Sequence, residues 1–232
     1  MFPRLQPATQ ALLIANVVIF LVTMAVPLLP EAVTTQMLLW PIGAGEVMPG
    51  AGFMPWQLLT AGFMHANFGH IFFNMLALWM FGSPLEAVWG SKRFATYYLV
   101  SLVGANVLQV IVGTLLLSQG QFPNPVLGAS GAVFALLLGY GMLFPNQRMI
   151  VFPIPMEIKA RTLVIIYGVA ELFFAYTGRQ PGVAHFVHLG GMLFGWLLIR
   201  YWRGQPPFKR GGSRGGRGGG QRRGTATFRV VK

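Results

Sequence analysis

Gly128-Ala129-Ser130-Gly131-Ala132-Val133-Phe134-Ala135-Leu136 sets one small hydroxyl residue between glycines at the head of an apolar run, directly after a Pro-rich connection over 122–126. The run from Gly128 to Phe144 is 17 residues long. At about 1.5 Å per residue, a helix of that length covers roughly 25 Å, short of the roughly 30 Å of a bilayer core. If it lies in a membrane, its first turn begins below the surface. Lipid satisfies no backbone polar group, so the non-helical stretch before it has to sit inside protein or beside a water-filled cavity. The stretch predicts a serine at the floor of a wet cavity, on a helix N-terminus whose free N–H groups favour negative charge.

The composition agrees with that setting. Of 232 residues, 54% are hydrophobic and 9% charged, and the mean hydropathy is +0.60, far from a soluble domain with about a quarter charged residues. The chain reads as an integral membrane protein. It has no cysteine, which removes disulfides, thiolate nucleophiles and Cys-based metal sites. The acidic residues are Glu31, Glu46, Glu86, Glu157 and Glu171, with no aspartate, which excludes a Ser-His-Asp triad. With Arg4 alone near the start and no small-residue cleavage site, the first apolar run is expected to be a retained helix.

Hydropathy marks six apolar segments, at 11–29, 68–85, 94–117, 128–144, 162–176 and 183–202. With the N-terminus cytoplasmic, six spans put 16 of the 17 Lys and Arg residues on the cytoplasmic side and leave Arg179 outside. The positive-inside rule therefore predicts both termini in the cytoplasm. The expected organisation is a short cytoplasmic N-terminus at 1–10, an all-α membrane domain of six helices at 11–203, and a basic Gly/Arg-rich tail at 204–232. The tail repeats Arg-Gly-Gly from Arg210, Arg214 and Arg217 and cannot build a core, so disorder is expected. Anionic lipid is its favoured partner, with RNA the weaker alternative. The long outside connection at 30–67 carries Trp40, Phe53 and Trp56, which suit an aromatic interfacial belt.

All four histidines fall in two stretches, His65 and His70 in the first and His185 and His188 in the second. Polar side chains inside membrane segments are costly and mark a site by default. His70 and Asn74 share a helical face. His188 opens H-x-x-G-x-x-x-G, whose Gly191 and Gly195 give a smooth ridge for a close helix partner. In the six-span topology His70, Asn74, Ser130 and His188 all lie near the outside ends of the second, fourth and sixth spans. Ser130 is then in reach of a neutral histidine that can take its proton. The Ser130 backbone N–H, His70 and Asn74 face the developing oxyanion.

Three motifs, H-x-x-x-x-H-x-x-x-N at His65, His70 and Asn74, G-x-S-G at Gly128, Ser130 and Gly131, and the His188 motif, occur in this order. Gly82, Glu86 and the turn Gly90-Ser91-Lys92-Arg93-Phe94 add to them. On these residues the chain, over roughly 54–202, resembles the rhomboid intramembrane serine proteases in their prokaryotic six-span form. The resemblance implies hydrolysis of peptide bonds in or near transmembrane segments of membrane-protein substrates, through a Ser130–His188 dyad and an acyl-enzyme. It also implies an oxyanion site at His70 and Asn74, gating by span five and the fifth loop, no cofactor, and a bacterial inner membrane. Two departures stand out: Trp56-Gln57 where relatives often carry Trp-Arg, and Phe134 where many carry Tyr. Phe134 can pack on the His188 ring but cannot donate a hydrogen bond to it.

Either His185 or His188 can be the base; the glycines favour His188, with His185 lining the cavity or binding water and His65 supporting the loop. Glu171 is read as a structural hydrogen-bond partner, with gating or a proton path as the alternative. Asn106 and Gln109 are read as interhelical glue. A metal enzyme is the rival chemistry, disfavoured by the lack of H-E-x-x-H, of aspartate and of any glutamate close in sequence to a histidine. An inactive rhomboid-like binding protein, a channel or a transporter is the non-enzymatic alternative; Ser130 and His188 argue against the first, and the lack of an internal repeat against the last.

Overall fold

The computed structural model describes residues 3–25, 31–122, 124–151, 154–178 and 184–208. Arg179, the Arg-Gly-Gly tail from 209 onward, and the ends of the first and sixth predicted segments at 26–29 and 183 lie outside the described residues. Among the described residues, six long helices account for the six apolar segments: α1 (Pro7–Ala25), α2 (Phe68–Trp89), α3 (Ser91–Ser118), α4 (Ser130–Leu143), α5 (Ala160–Thr177) and α6 (His185–Trp202). Four of them, α1, α2, α3 and α5, are long and apolar enough to cross a membrane. Helix α4 has 14 residues, or about 21 Å of rise. It is shorter even than its apolar run suggested, because Gly128 and Ala129 belong to the loop before it and Phe144 lies past its end.

Helices α3, α4 and α6 form the centre, with α6 packed most extensively on α4 and α3. Small residues make this close approach feasible, as expected where lipid gives helices no hydrophobic reason to associate. A Cβ on Gly191 of α6 would run into the carbonyl oxygen of Gly131 on α4. Around that seam Phe94, Tyr97, Tyr98 and Leu102 of α3 are fully buried, and the Tyr97 hydroxyl donates to the Ala135 carbonyl at 2.7 Å. Helices α1 and α5 lie outside and expose apolar side chains, among them Ile14, Leu21, Ile165, Val169 and Leu172. In water such belts would be a liability; against acyl chains they are the expected surface.

At one end of the bundle Glu86 of α2 ties three elements together. Its carboxylate accepts from the Ala8 and Thr9 N–H groups at 2.8 and 2.7 Å, the Thr9 hydroxyl at 2.8 Å and the Ser91 hydroxyl at 2.6 Å. It thus satisfies free donors in the first turn of α1 and the start of α3. Helix α2 carries one wide turn at Leu78–Gly82, just before Pro84.

The connection between α1 and α2 is compact. It holds short helices at Glu31–Met37, Ala44–Val47 and Gln57–Thr60 and a tight turn at Ala61–Phe63. Trp40, expected in an interfacial belt, is instead 4% exposed in the middle of this connection, while Trp56 is 51% exposed. The reason is Gln57, itself fully buried. Its Oε1 accepts from the Trp40 N–H at 3.1 Å, and its Nε2 donates to the Gly52 and Gln36 carbonyls at 2.8 and 3.3 Å. The sequence also gave no sign of a two-stranded antiparallel hairpin between α4 and α5, β1 (Arg148–Val151) with β2 (Ile154–Lys159).

Candidate active site

The loop entering α4 is fastened on both sides. Leu39 and Val126 exchange two backbone hydrogen bonds, each 2.9 Å, and the Gly128 N–H donates to the Ala61 carbonyl at 2.8 Å. The connection before α2 therefore supplies the partners that a non-helical segment needs when no water or lipid can. Gly128 has φ +119°, a conformation L side chains rarely adopt, and a Cβ there would lie 2.7 Å from His70 Nε2 and 3.7 Å from Asn74 Nδ2. This glycine lets the backbone beside Ser130 lie directly against His70 and Asn74.

Ser130 opens α4, and its Oγ is 2.9 Å from His188 Nε2 on α6. The distance is that of a hydrogen bond between a hydroxyl and an imidazole nitrogen. Phe134, one turn further along α4, stacks on the His188 ring at 4.1 Å between centroids and 5° between planes. Gly191 holds the backbones of α4 and α6 together one turn below.

His70 stands in the first turn of α2, which Asn67 caps by accepting from the His70 N–H at 2.9 Å. The His70 Nδ1 accepts from the Ala66 N–H at 3.4 Å, which leaves Nε2 as the N–H donor of the neutral ring, on the side facing Gly128. Asn74 is buried, and its Nδ2 has no hydrogen-bond partner among the described residues. A buried amide donor without a partner calls for an explanation, and a transient acceptor is one. His65 packs edge-on to His70 at 5.1 Å in the loop before α2. Burial first, then the neighbouring His70, push its pKa down to about 4, against a backbone hydrogen bond at Phe63, so it is neutral at ordinary pH.

Ser130, His70, Phe134, His185 and His188 all line one cavity of about 1150 Å³. Gln109, read as interhelical glue, also lines it, whereas Asn106 Nδ2 donates to the Leu58 carbonyl at 2.9 Å and binds α3 to the preceding connection.

His185 has a closer partner than cavity water. Its Nδ1 is 2.6 Å from Glu171 Oε2, and the other carboxylate oxygen is 3.0 Å from His188 Nδ1. The absence of a glutamate near the histidines, true along the sequence, is thus untrue in space, because α5 packs beside α6. Glu171, His185 and His188 offer three ligand atoms within 4.8 Å of one another, a set able to hold a metal ion. The signal available beforehand was the single carboxylate in the fifth apolar segment; its partners were not legible there.

A family model described as Rhomboid domain matches residues 52–204. Over 148 residues the chain is 30% identical to Rhomboid protein 1, mitochondrial, of Saccharomyces cerevisiae, covering 62% of this chain and 42% of that protein. It is 30% identical over 144 residues to Rhomboid protease GluP of Bacillus subtilis, covering 61% and 25%. To the human Presenilin-associated rhomboid-like protein, mitochondrial, it is 28% identical over 159 residues, covering 65% and 40%. The chain therefore spans between 25% and 42% of these relatives' own length. A match over most of the chain, together with a bundle of apolar helices around a cavity that Ser130 and three histidines line, establishes that this integral membrane protein belongs to the rhomboid family.

Proposed function

We propose that the protein is an intramembrane serine protease that cleaves peptide bonds in or near the transmembrane segments of membrane-protein substrates. One observation carries this reading: the 2.9 Å contact between Ser130 Oγ and His188 Nε2 on the wall of a cavity, at the start of a helix too short to span. Ser130 Oγ attacks the substrate carbonyl carbon while its proton passes to His188 Nε2. The carbonyl oxygen gains negative charge opposite the Ser130 N–H and the side chains of His70 and Asn74, donors of the kind worth about 10² to 10³ each in rate. The C–N bond breaks as His188 returns the proton to the leaving amine. Water then gives a proton to Nε2 and hydrolyses the Ser130 ester.

The membrane domain at 11–203 carries this chemistry, both termini face the cytoplasm of a bacterial inner membrane, and the basic tail meets anionic lipid. The test is cleavage of a model single-span substrate in detergent by the wild type and by Ser130→Ala. The wild type is expected to cleave and the variant to be inert; equal turnover would remove the nucleophile and leave a binding or transport role.

The three donors of Glu171, His185 and His188 favour one second reading, a metal-dependent hydrolase. A fluorophosphonate should label Ser130 with and without EDTA under the first reading. Labelling and cleavage abolished by EDTA and restored by zinc would establish the second.

A further inference from the structure

A serine paired with a histidine still needs that histidine to present the right nitrogen. A neutral imidazole carries one N–H and one lone pair, and only the tautomer with its lone pair on Nε2 can take the Ser130 proton. Phe134 stacks flat on the ring. That contact fixes the ring's plane but is indifferent to a half-turn about the Cβ–Cγ bond, which would carry Nε2 away from Ser130. Phe134 has no hydroxyl with which to add a polar restraint.

Glu171 supplies what the stack lacks. Its carboxylate side chain is 10% exposed, between His185 at 7% and His188 at 11%, with Nδ1···O distances of 2.6 Å and 3.0 Å. An ionised carboxylate only accepts, so it holds the proton of His188 on Nδ1 and leaves the lone pair on Nε2. His185 donates from its Nδ1 to the other oxygen and keeps the carboxylate from turning away. In the resting site Oε1 lies off the line of the His188 N–H, an ion-pair distance without a straight hydrogen bond. Contacts of this kind tighten when charge develops on the ring.

We infer that Glu171 is a positioning residue for the Ser130–His188 pair, setting the orientation and tautomer of His188 and balancing the imidazolium formed in each proton transfer, with His185 as its strut. The inference rests on the proposed protease reading and adds a third member to a pair expected to act alone. The carboxylate stays ionised throughout: the proton of Ser130 moves to Nε2 and on to the leaving amine, and the Nδ1 proton stays in place. The triad denied by the lack of aspartate is thus supplied by a glutamate from another helix.

The test compares wild type, Glu171→Gln, Glu171→Asp and Ser130→Ala on the single-span substrate, with thermal unfolding of each. Glutamine keeps the shape but, having both a donor and an acceptor end, no longer dictates the tautomer. Glu171→Gln is expected to lower kcat by up to about 10⁴-fold with KM changed little, the size of the loss when the corresponding carboxylate is removed in soluble serine proteases. Glu171→Asp should recover part of that loss. In a phosphonate adduct on Ser130, the wild type should show a far-downfield proton resonance from His188 Nδ1–H, absent in Glu171→Gln. A purely structural tie between α5 and α6 would lower the unfolding temperature and move neither kcat per folded molecule nor that resonance.

An inert Ser130→Ala beside a Glu171→Gln variant within about threefold of the wild-type kcat overturns the inference and leaves the protease reading standing. If Ser130→Ala cleaves like the wild type, both fall. Should Glu171→Gln not fold, the wild-type adduct decides, and no downfield resonance there overturns the inference.

Discussion

Gly191→Ala probes the seam on which the site depends. The added methyl meets the backbone carbonyl oxygen of Gly131, which cannot rotate aside as a side chain can. Carbon and oxygen approach no closer than about 3.3 Å, so α4 and α6 must part by about an ångström or more. Overpacking of this kind costs about 1–3 kcal/mol, against a gain of about 0.5–1 kcal/mol for replacing glycine by alanine within a helix. The net expectation is a loss of about 1–2 kcal/mol. On the proposed protease reading, function should suffer more than stability, because the clash lies between the carriers of the proposed nucleophile and base: Ser130 precedes Gly131, and His188 is one turn before Gly191. An ångström added to the 2.9 Å contact takes it past hydrogen-bonding range. A misplacement of that size costs on the order of 10²-fold in rate. The assay is kcat per folded molecule on the single-span substrate beside thermal unfolding in detergent. Gly168→Ala on α5 is the control, since its Cβ would meet only the flexible Met192 side chain, at an ordinary 3.6 Å from Cε and 4.0 Å from Sδ. A Gly191→Ala protein as stable and as fast as the wild type would refute the reasoning.

Three further outcomes are expected. Gly128→Ala forces a side chain into φ +119° and against His70 Nε2, so cleavage should fall by about 10² or more while covalent labelling of Ser130 persists; undiminished cleavage would detach His70 from the oxyanion role. Glu86→Gln weakens four hydrogen bonds to a carboxylate and should cost about 2–4 kcal/mol in chemical denaturation without changing kcat per folded molecule, because Glu86 lies about 24 Å along α2 from His70. His65 titrates at about 4 when folded against 6.5 when unfolded, so the unfolded chain takes up its proton first. Its contribution is fully present above pH 6.5, declines as pH falls toward 4 and is constant below; unfolding midpoints of His65→Gln should therefore fall less over that window than those of the wild type.

What could be read from the chain was what depends on local order. Helix α4 is short because its apolar run is short, and His70 and Asn74 share a face because they are four residues apart. The approach of Ser130 to His188 was legible only because glycines mark both sides of the seam. Trp40 was misjudged because an aromatic residue in an outside connection suits either an interface or a folded loop, and the difference is made by the amide of Gln57, 17 residues away. The hairpin at Arg148–Val151 and Ile154–Lys159 was not legible because both strands are short and the first is mostly apolar, without the alternation that marks a half-buried strand.

Glu171 is the instructive case. On its own helix it is an isolated carboxylate among apolar residues, and both of its partners lie beyond the connection to α6, the nearer one 14 residues further on. Nothing in the spacing of α5 says which face meets which neighbour, since a helix set against lipid has apolar residues nearly all round. Burial decides between the readings. A carboxylate facing acyl chains would be heavily penalised, whereas one between two imidazoles has its oxygens occupied. The same arrangement that makes the carboxylate tolerable in the bundle aims the free nitrogen of His188 at Ser130. Stability of the α5–α6 contact and readiness of the serine are then a single electrostatic fact, and a change that moves α5 away from α6 must disturb both.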